Sequence, residues 1–310
     1  MQQDFDQQHI PVLLSEVLDE LDVYSEGIYV DCTFGQGGHS RAILKHLGTT
    51  GRLLALDQDP EAALVAQHIQ DQRFIFFHTS FKNLAALIQA QGWQGQVRGI
   101  LFDLGVSSPQ LDHARRGFSF MHEGPLDMRM NPQQGEDLGS WLAQASLEEI
   151  NKILKDYGEE RYARRIARAI VLAREQKQLN TTKQLAETIA AAHPAWKPGK
   201  HPATQSFLAL RIFINQELEQ LQQVLAQVPS LLAPQGRLVV ISFHSLEDRI
   251  VKRFIKEQSR GDFFPPQVPV PATALRPTLR PHGKAILPSA EEIAHNPRAR
   301  SAVLRVAERL

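Results

Sequence analysis

The sequence predicts an α/β protein with a mainly parallel sheet and an all-helical segment inserted between two strands. Short apolar, β-rich runs alternate with helical patterns over residues 28–103, a spacing that indicates βαβ units. The alternation then gives way to a long helical stretch, and a buried strand pattern returns at 235–243. A glycine-rich turn, Gly35–Gly38, directly follows the first strand pattern, where open α/β sheets bind ligands.

The elements before the insertion follow from local patterns. A first helix, Pro11–Leu21, places its leucines and Val17 on one face at helical spacing. The predicted strands cover 28–34, 51–57, 74–77 and 97–103, and the predicted helices cover 42–47, a segment starting at Pro60, and 84–91. Asp59 is a good N-cap for the helix that starts at Pro60.

The remaining elements are helical until the sheet pattern resumes. Helical patterns cover 141–175, 181–192 and 203–228, with capping boxes beginning at Ser146 and Thr181. After the strand at 235–243, we expect a basic helix to about Lys256, a loop or disordered proline-rich stretch at 265–281, and an edge strand at 301–307. The predicted domains are a discontinuous one (1–112 and 217–310) and an inserted helical one (113–216).

Overall charge argues at first against a general nucleic-acid coat protein. The 310 residues include 34 Lys plus Arg and 34 Asp plus Glu, so the formal net charge is zero. The charges are segregated, however: residues 1–40 hold eight acidic side chains and no Lys or Arg, whereas 249–284 hold eight basic residues against two acidic ones. This asymmetry fits either a surface that faces nucleic acid or solvated helix faces.

Cysteine content and hydropathy restrict the class of protein. The single cysteine, Cys32, excludes a disulfide framework and a thiolate zinc cluster. Residues 1–15 do not resemble a targeting peptide, and no apolar run is long enough to span a membrane. We therefore expect a soluble cytoplasmic protein. We also expect no metal centre, because His244 has no second His or Cys at ligand spacing.

The glycine turn and the acids around it indicate the kind of ligand. Asp57 ends the second strand 22 residues after Gly35, where a carboxylate can accept both hydroxyls of a ribose. No Gly-Lys-Ser/Thr follows, which excludes a P-loop, and Ser40 departs from the dinucleotide fingerprint. Asp31 would repel a pyrophosphate but could bind an ammonium group; alternatively, it caps the loop. A ligand that contains a ribose and a free amine but no phosphate matches S-adenosyl-L-methionine. At Gly37 and Gly38, the backbone could approach this ligand closely.

Two further residues of this region have alternative roles. Phe81 follows the third strand, where its ring could stack on an adenine or belong to the core. His39, at the start of the second helix, could bind the ligand or cap the loop.

Chemistry in an open α/β sheet collects beyond the carboxyl ends of the strands. The fourth strand ends at Asp103, and Ser107, Ser108 and the carbonyls near Pro109 follow it. Amino-directed methyltransferases place acceptors here, because an exocyclic amine is a poor nucleophile that must be held in geometry. The match is partial, since Asp-Pro-Pro-Tyr is missing, and Asp103 could instead contact the cofactor. A general base is not strictly required, because the amine proton becomes acidic once the nitrogen is methylated.

Eight ordered sequence blocks are similar to one family, the bacterial small-subunit rRNA cytosine-N(4)-methyltransferases. They are Asp31-Cys-Thr-Phe-Gly-Gln-Gly-Gly-His, Asp103-Leu-Gly-Val-Ser-Ser-Pro-Gln-Leu, Arg116-Gly-Phe-Ser-Phe, Gly124-Pro-Leu-Asp-Met-Arg-Met, Tyr157-Gly-Glu-Glu-Arg, His201-Pro-Ala-Thr, Phe243-His-Ser-Leu-Glu-Asp-Arg and Asn296-Pro-Arg-Ala-Arg-Ser. The blocks are long and extend over most of the chain, so a chance match is implausible.

The resemblance implies both a fold and an activity. The fold is a Rossmann-like class I S-adenosylmethionine-dependent methyltransferase sheet with an inserted all-helical substrate-recognition domain. The activity is methylation of the exocyclic N(4) amine of a decoding-centre cytidine in 16S rRNA, within the 30S subunit; DNA or another RNA is the alternative substrate. The family's cofactor positions correspond to Gly37, Gly38, His39, Asp57, Phe81, Asp103 and Gln110. A homodimer is compatible with the sequence, but no feature requires it.

On the RNA side, a basic and aromatic segment follows the reactive strand. Arg115, Arg116, Phe118, Phe120 and Arg129 could close over a flipped cytidine, although Phe118 could equally pack the insertion.

Two further sites could contact the RNA. Arg164 and Arg165, in a helical run of arginines, could neutralise phosphates or form a solvated face. His244 is expected to order the end of the fifth strand, close to the substrate.

Overall fold

A computed structural model describes residues 11–176, 179–195, 199, 201–261 and 275–310. The chain divides into two compact units. Met1–Gly105 and Leu218–Leu310 form the sheet unit, and Val106–Glu217 form the helical unit.

The sheet unit is built on seven strands in the order β3-β2-β1-β4-β5-β7-β6. Strands β1 to β5 pair in parallel, and β7 is antiparallel to both β5 and β6. The strands are β1 Ile28–Asp31, β2 Arg52–Asp57, β3 Phe74–His78, β4 Val97–Asp103, β5 Leu232–Ser242, β6 Leu279–Ile286 and β7 Val303–Arg309. The predicted strands of the first half are therefore confirmed, and the sheet is parallel over its first five strands.

Helices cover both faces of this sheet, because successive strand residues point to opposite sides. Tyr29 and Leu53 belong to one buried cluster, and their neighbours Val30 and Leu54 belong to another. The helices are α1 Leu14–Leu21, α2 Gly38–His46, α3 Pro60–Ala66, α4 Leu84–Ala90, α11 Glu217–Leu225, α12 Val228–Leu231, α13 Ser245–Arg260 and α14 Ala290–His295, with α11 starting at the unit boundary. The predicted cap of α3 is confirmed: Asp59 Oδ1 accepts the Glu61 N–H at 2.9 Å.

Two predictions about the carboxyl-terminal region are wrong. The last strand, β7, lies between β5 and β6, so the sheet edge is β6 and not the segment at 301–307. Part of the proline-rich stretch, expected to be a loop, forms this edge strand. An edge strand accepts Pro281 because a residue there needs no second ladder bond. Residues 262–274 of that stretch lie outside the described part of the chain.

The helical unit has its own buried core. Its helices are α5 Ser108–Asp112, α6 Leu138–Gln144, α7 Leu147–Gly158, α8 Ala163–Glu175, α9 Thr182–Ala192 and α10 Thr204–Asn215. The predicted capping boxes of α7 and α9 are both formed. The first boundary of the unit follows Gly105, whereas the prediction placed it after residue 112, because α5 packs with the turn at Ala114–Arg116 that follows it.

A buried asparagine joins α10 to an irregular segment of the helical unit. Asn215 Nδ2 donates to Met128 O at 2.8 Å and to Arg211 O at 2.9 Å, and its Oδ1 accepts the Met130 N–H at 2.7 Å. Met128 is fully buried with a positive φ of 60°, a conformation that is unfavourable for a side chain with a Cβ. Asn215 therefore holds a strained turn in place.

No helix among the residues described by the structure is long and apolar enough to cross a membrane.

Replacing Asn215 by Ala should destabilise the helical unit by about 2–3 kcal/mol, because buried backbone groups of Met128 and Met130 lose their partner. Hydrogen–deuterium exchange of peptides covering 126–130 and 204–215 measures this locally. Asn180→Ala is the control, since Asn180 is exposed. Unchanged exchange in Asn215→Ala would show that the asparagine does not hold the turn.

Candidate active site

The glycine loop between β1 and α2 is shaped by close packing. Gly37 has a φ of 72°, and a Cβ on it would lie 2.6 Å from the Phe34 ring. A Cβ on Gly38 would lie 2.3 Å from Pro11 Cγ. Both glycines are therefore required by the backbone path that starts α2, whose N-terminal N–H groups face the carboxyl edge of the sheet.

Asp57 connects this loop to the end of β2. Its Oδ2 accepts the Gly35 N–H and its Oδ1 accepts the Asp59 N–H, each at 2.8 Å. Burial raises the pKa of the Asp57 carboxyl to about 6, although the two N–H donors lower it. Each oxygen keeps a lone pair, so the carboxylate can still accept hydroxyl groups from a ligand.

Asp31, at the end of β1, is 1% exposed. Ser40 Oγ donates to its Oδ2 at 2.7 Å, and the Thr33 N–H donates to its Oδ1 at 3.1 Å. Burial raises the pKa of Asp31 to about 6. The loop-organising role that the sequence left open is thus observed, and a role toward an ammonium group stays a prediction.

Thr33 is a residue that sequence reasoning missed. Its Oγ1 accepts the Asp103 N–H at 2.6 Å, so one side chain links the carboxyl ends of β1 and β4. The available signal was a threonine two residues after the terminal acid of a strand, a position where hydroxyls bond nearby backbone.

His39 is buried at the start of α2 and is neutral. Burial lowers its pKa to about 4. Its Nε2 lies 3.1 Å from Val12 O, and because a carbonyl can only accept, Nε2 carries the proton. The Nδ1 lone pair then faces Asp103 Oδ2 at 3.7 Å.

Asp103 is the most strongly perturbed acid at this edge. Its side chain is 25% exposed, but Oδ1 is buried and has no hydrogen-bond partner among the described residues. Burial raises the pKa of its carboxyl to about 8, with further contributions from the Asp31 and Glu247 charges. The carboxyl is therefore mainly protonated at neutral pH, which suits the lone pair of His39 opposite it.

The carboxyl end of β5 adds a histidine and a buried acid. Phe243 and His244 directly follow β5, and α13 starts at Ser245. Glu247 is 2% exposed, and its Oε2 accepts the N–H groups of Phe243 at 2.8 Å and His244 at 3.3 Å. Sequence reasoning gave Glu247 no role, although an acid at the third position of a helix that follows a strand was a visible signal.

Phe81 lies in the turn after β3. Its ring meets Phe102 edge to face, with centroids 5.7 Å apart, and is partly buried. Both alternatives given by the sequence are compatible with this position, since one ring face can pack while the other receives a base.

The predicted amine-positioning residues begin the helical unit. Ser107 is the N-cap of α5, and its N–H donates to Gln110 Oε1 at 2.9 Å. Ser108 and Pro109 form the first turn, and Gln110 is 4% exposed. Along the chain, this turn starts four residues after Asp103 ends β4.

The structure does not support RNA contacts by two predicted residues. Arg116 is 5% exposed, and its Nη2 donates to Arg129 O at 3.2 Å and Met130 O at 2.9 Å. Its guanidinium lies 5.7 Å from the centroid of the Phe118 ring, and Phe118 is itself buried. The two residues stabilise the interior of the helical unit, because a guanidinium that bonds carbonyls can be buried.

Other predicted RNA residues differ in exposure. Phe120 packs on His201 and Phe207, with centroid distances of 4.5 and 4.9 Å, and Arg129 forms a two-point ion pair with Asp127. Arg115, Arg164 and Arg165 have exposed side chains. The exposed arginines of α8 therefore stay candidates for phosphate contacts.

The helical unit also contains a pocket of about 190 Å³ that sequence reasoning missed. The Trp141 and Phe213 rings, 4.7 Å apart, form part of its wall. Its other lining residues are Glu149, Lys152, Ile153, Asp156 and Tyr157. These residues come from three separate helices, so spacing along the sequence does not reveal the pocket.

The open sheet, the glycine loop after β1 and the acids that end β1, β2 and β4 define a Rossmann-like class I methyltransferase. A family model described as the MraW methylase family matches residues 6–310, and the chain belongs to this family. Membership confirms the fold class and the cofactor, S-adenosyl-L-methionine.

Two relatives with a common name are similar to this chain over nearly their whole length. The chain is 53% identical over 304 residues to "Ribosomal RNA small subunit methyltransferase H" of Coxiella burnetii (strain Dugway 5J108-111), covering 97% of this chain and 99% of the relative. It is 55% identical over 305 residues to the protein of the same name from Nitrosococcus oceani, covering 97% and 96%. A solved rRNA methylase from Streptococcus thermophilus aligns with 12% identity and a TM-score of 0.44, covering 97% of this chain and 98% of that one.

Replacing Asp57 by Ala should weaken S-adenosylhomocysteine binding at least about 100-fold, because bonds from a charged acceptor to ribose hydroxyls contribute roughly 1.5–3 kcal/mol each. Calorimetric titration measures the affinity, and Asp71→Ala is the control carboxylate, placed before β3 and paired with Arg73. An analogue without ribose hydroxyls should lose less affinity than the intact ligand does, because Asp57→Ala removes the loop bonds in both cases but the ribose contact only in the second. An unchanged affinity of Asp57→Ala for the intact ligand would refute the ribose contact.

The raised pKa of Asp103 predicts the pH dependence of stability. Between the ordinary value of 3.8 and the folded value of about 8, the folded state holds more protons than the unfolded chain, so the free energy of unfolding falls as pH rises. The slopes from Asp31, Asp57 and His39 are common to wild type and to a variant at Asp103, so they cancel when the two proteins are compared.

Asp103→Asn should therefore gain about 2 kcal/mol of stability relative to wild type between about pH 6.5 and 9. Urea unfolding across this range is the measurement. Asp71→Asn is the control: the pKa of Asp71 is lowered to about 2, so this variant should shift stability equally at every pH in the range. Parallel pH profiles for wild type and Asp103→Asn would contradict the prediction.

Proposed function

We propose that this protein methylates the exocyclic N(4) amine of a decoding-centre cytidine in 16S rRNA, using S-adenosyl-L-methionine. The observation that carries the proposal is the similarity over nearly the full length to relatives named ribosomal RNA small subunit methyltransferase H. The sequence blocks around Asp31, Asp103 and Phe243 support the finer assignment to a cytidine amine, because they resemble the cytosine-N(4) family.

The side chains at the carboxyl edge of the sheet suit this cofactor. In the proposal, Asp57 accepts the ribose hydroxyls and Phe81 stacks on the adenine, while Asp31 attracts the ammonium group. Gly37, Gly38 and His39 provide the close backbone approach at the start of α2, and Gln110 adds an amide. The acidic character of this set favours a cationic ligand without phosphates.

When bound, the cofactor supplies a methyl group that is activated by its positively charged sulfur. The protein's task is then to hold the amine and orient its lone pair. Asp103 Oδ1, which has no bond within the described residues, is the acceptor for one amine hydrogen. Ser107, Ser108 and the carbonyls near Pro109 are the further acceptors in this proposal.

The helical unit, which the sequence predicts at 113–216 and the structure delimits at Val106–Glu217, is proposed to recognise the RNA. Arg164 and Arg165 are exposed on α8, and Arg115 is exposed after α5, so each can neutralise a phosphate. Chemistry on a base edge needs an unstacked nucleotide, which a folded rRNA site within the 30S subunit can present. Such a substrate would place the activity in the cytoplasm.

Methyl transfer to defined substrates tests the proposal. The protein is incubated with methyl-labelled S-adenosylmethionine and 30S subunits that lack the modification, naked 16S rRNA, or double-stranded DNA. Nucleoside mass spectrometry should find N(4)-methylcytidine in a ribosomal substrate, with Asp57→Ala as the inactive control. Label in DNA instead would favour the alternative substrate class. Absence of label from both ribosomal substrates would refute the proposal.

A further inference from the structure

The amine loses a proton on methylation, and an acceptor held at the carboxyl edge of the sheet would take up this proton directly and speed the reaction. Most ionisable groups there are already engaged. Both oxygens of Asp31 and both oxygens of Asp57 accept hydrogen bonds from nearby backbone N–H groups or, in one case, from the Ser40 hydroxyl. His39 donates to Val12 O through Nε2 and directs Nδ1 toward Asp103. Asp103 holds its own proton at neutral pH, because its pKa is raised to about 8.

His244 differs from these groups. Its side chain is 10% exposed and faces the Glu247 N–H in the capping box that starts α13, but neither ring nitrogen makes a hydrogen bond of good geometry within the described ranges. A buried imidazole with both nitrogens unsatisfied is costly, and such groups are usually explained by a ligand or a functional role.

The position of His244 places it on the same edge as Asp103. Strands β4 and β5 are parallel neighbours, with Asp103 opposite Ile241, so His244 follows the partner of Asp103 by three residues. The Leu104 N–H donates to Ile241 O at 3.0 Å, so the pairing extends beyond Asp103. Helix α13 begins at Ser245, directly after His244, so Glu247 in its first turn belongs to the same edge of the sheet.

Glu247 gives the imidazole its polarity. Its Oε1 lies 3.1 Å from His244 Nε2, off the line of a good hydrogen bond, and its Oε2 accepts two backbone N–H groups. A fixed carboxylate beside Nε2 favours the tautomer with its proton there, which leaves the Nδ1 lone pair as the acceptor. The same carboxylate stabilises the imidazolium that forms when Nδ1 takes a proton.

We propose that His244 is a catalytic residue that accepts the amine proton through Nδ1, with Glu247 as the residue that positions and stabilises it. This inference rests on the proposed function. As the new N–C bond forms, the methyl group leaves the sulfur, which keeps the bonding electron pair. One N–H proton passes from the nitrogen to His244 Nδ1, and the imidazolium returns it to solvent after product release. The acidity of the methylated amine makes this transfer favourable, and His244 provides the acceptor where other groups are occupied.

Single-turnover methylation of 30S subunits tests the inference with His244→Asn and His244→Ala. The rate constant should fall about 10²-fold in both, at the low end for proton-transfer catalysis. Imidazole added to His244→Ala should restore much of the rate, and its effect should grow with the basicity of substituted imidazoles. His295→Asn is the matched control, because His295 is exposed and bonds Glu291 O on α14.

Two binding measurements provide readouts besides activity. S-adenosylhomocysteine affinity should be unchanged in the His244 variants, which shows an intact cofactor site. With that ligand bound, wild type should prefer subunits carrying cytidine over uridine at the target position, and His244→Ala should lose part of this preference, because uridine has no amine to donate. Glu247→Gln should lower the single-turnover rate by a smaller factor than His244→Ala, and imidazole should not restore it.

The inference and the proposed function fail in different ways. Failure of wild type to methylate any ribosomal substrate overturns the proposed function. If wild type is active, near wild-type single-turnover rates in His244→Asn and His244→Ala overturn the inference alone. A loss of rate in His244→Ala that imidazole leaves unchanged also overturns it, since a purely structural role would give that result.

Discussion

The carboxylate of Asp57 is the interaction on which this active site depends. By accepting N–H groups from Gly35 and Asp59, it joins the glycine loop to the end of β2 and also organises the start of α3. Because the loop leads into α2, the bond from Gly35 also helps to fix the start of the helix that carries His39. A ligand that bonds this carboxylate therefore meets a loop already held in its binding conformation, which lowers the cost of ordering on binding.

The same edge concentrates acidic groups that are unfavourable in the folded apo protein. Asp31, Asp57 and Asp103 all have raised pKa values, mainly through burial. Because these pKa values are raised, ionising the three carboxyl groups costs free energy in the folded protein. The apo state is therefore less stable at neutral pH than it would be if the three groups were apart. A positively charged ligand would relieve this mutual repulsion, and selectivity for a cationic cofactor over phosphate-bearing nucleotides follows from the same charges.

Local signals predicted most of the fold, because their physics lies within a few residues. The cap at Asp59 and the boxes at Ser146 and Thr181 are formed as predicted. The errors have tertiary causes. Arg116 looks like a surface residue in sequence, but the carbonyls that bury it come from 13 and 14 residues away. Strand β6 has too few apolar positions to show the alternating pattern of a strand. It forms because β7 provides a partner for its backbone hydrogen bonds.

The active site shows the same difference between features with local signals and features with tertiary causes. The glycine loop and the strand-terminal acids could be placed from spacing along one βαβ unit. Thr33 could not be ranked, because its significance comes from Asp103 on another strand, and the weight of Glu247 and of the unsatisfied His244 ring comes from their burial, which spacing does not reveal. The pocket beside Trp141 depends on three helices that meet only in the folded unit.

The insertion of the helical unit between β4 and β5 has a consequence for biosynthesis. Val97 pairs with Leu232, so the central pairing of the sheet must wait until the helical unit has been made. Until then, a nascent chain exposes the unpaired side of β4, whereas the helices pack around a core of their own and can fold once the unit has emerged. A helical unit that folds early also brings the two ends of its insertion to fixed positions and shortens the loop that the β4–β5 pairing must close. We therefore expect that folding during synthesis, as well as the stability of the final fold, favours a helical unit with a core of its own.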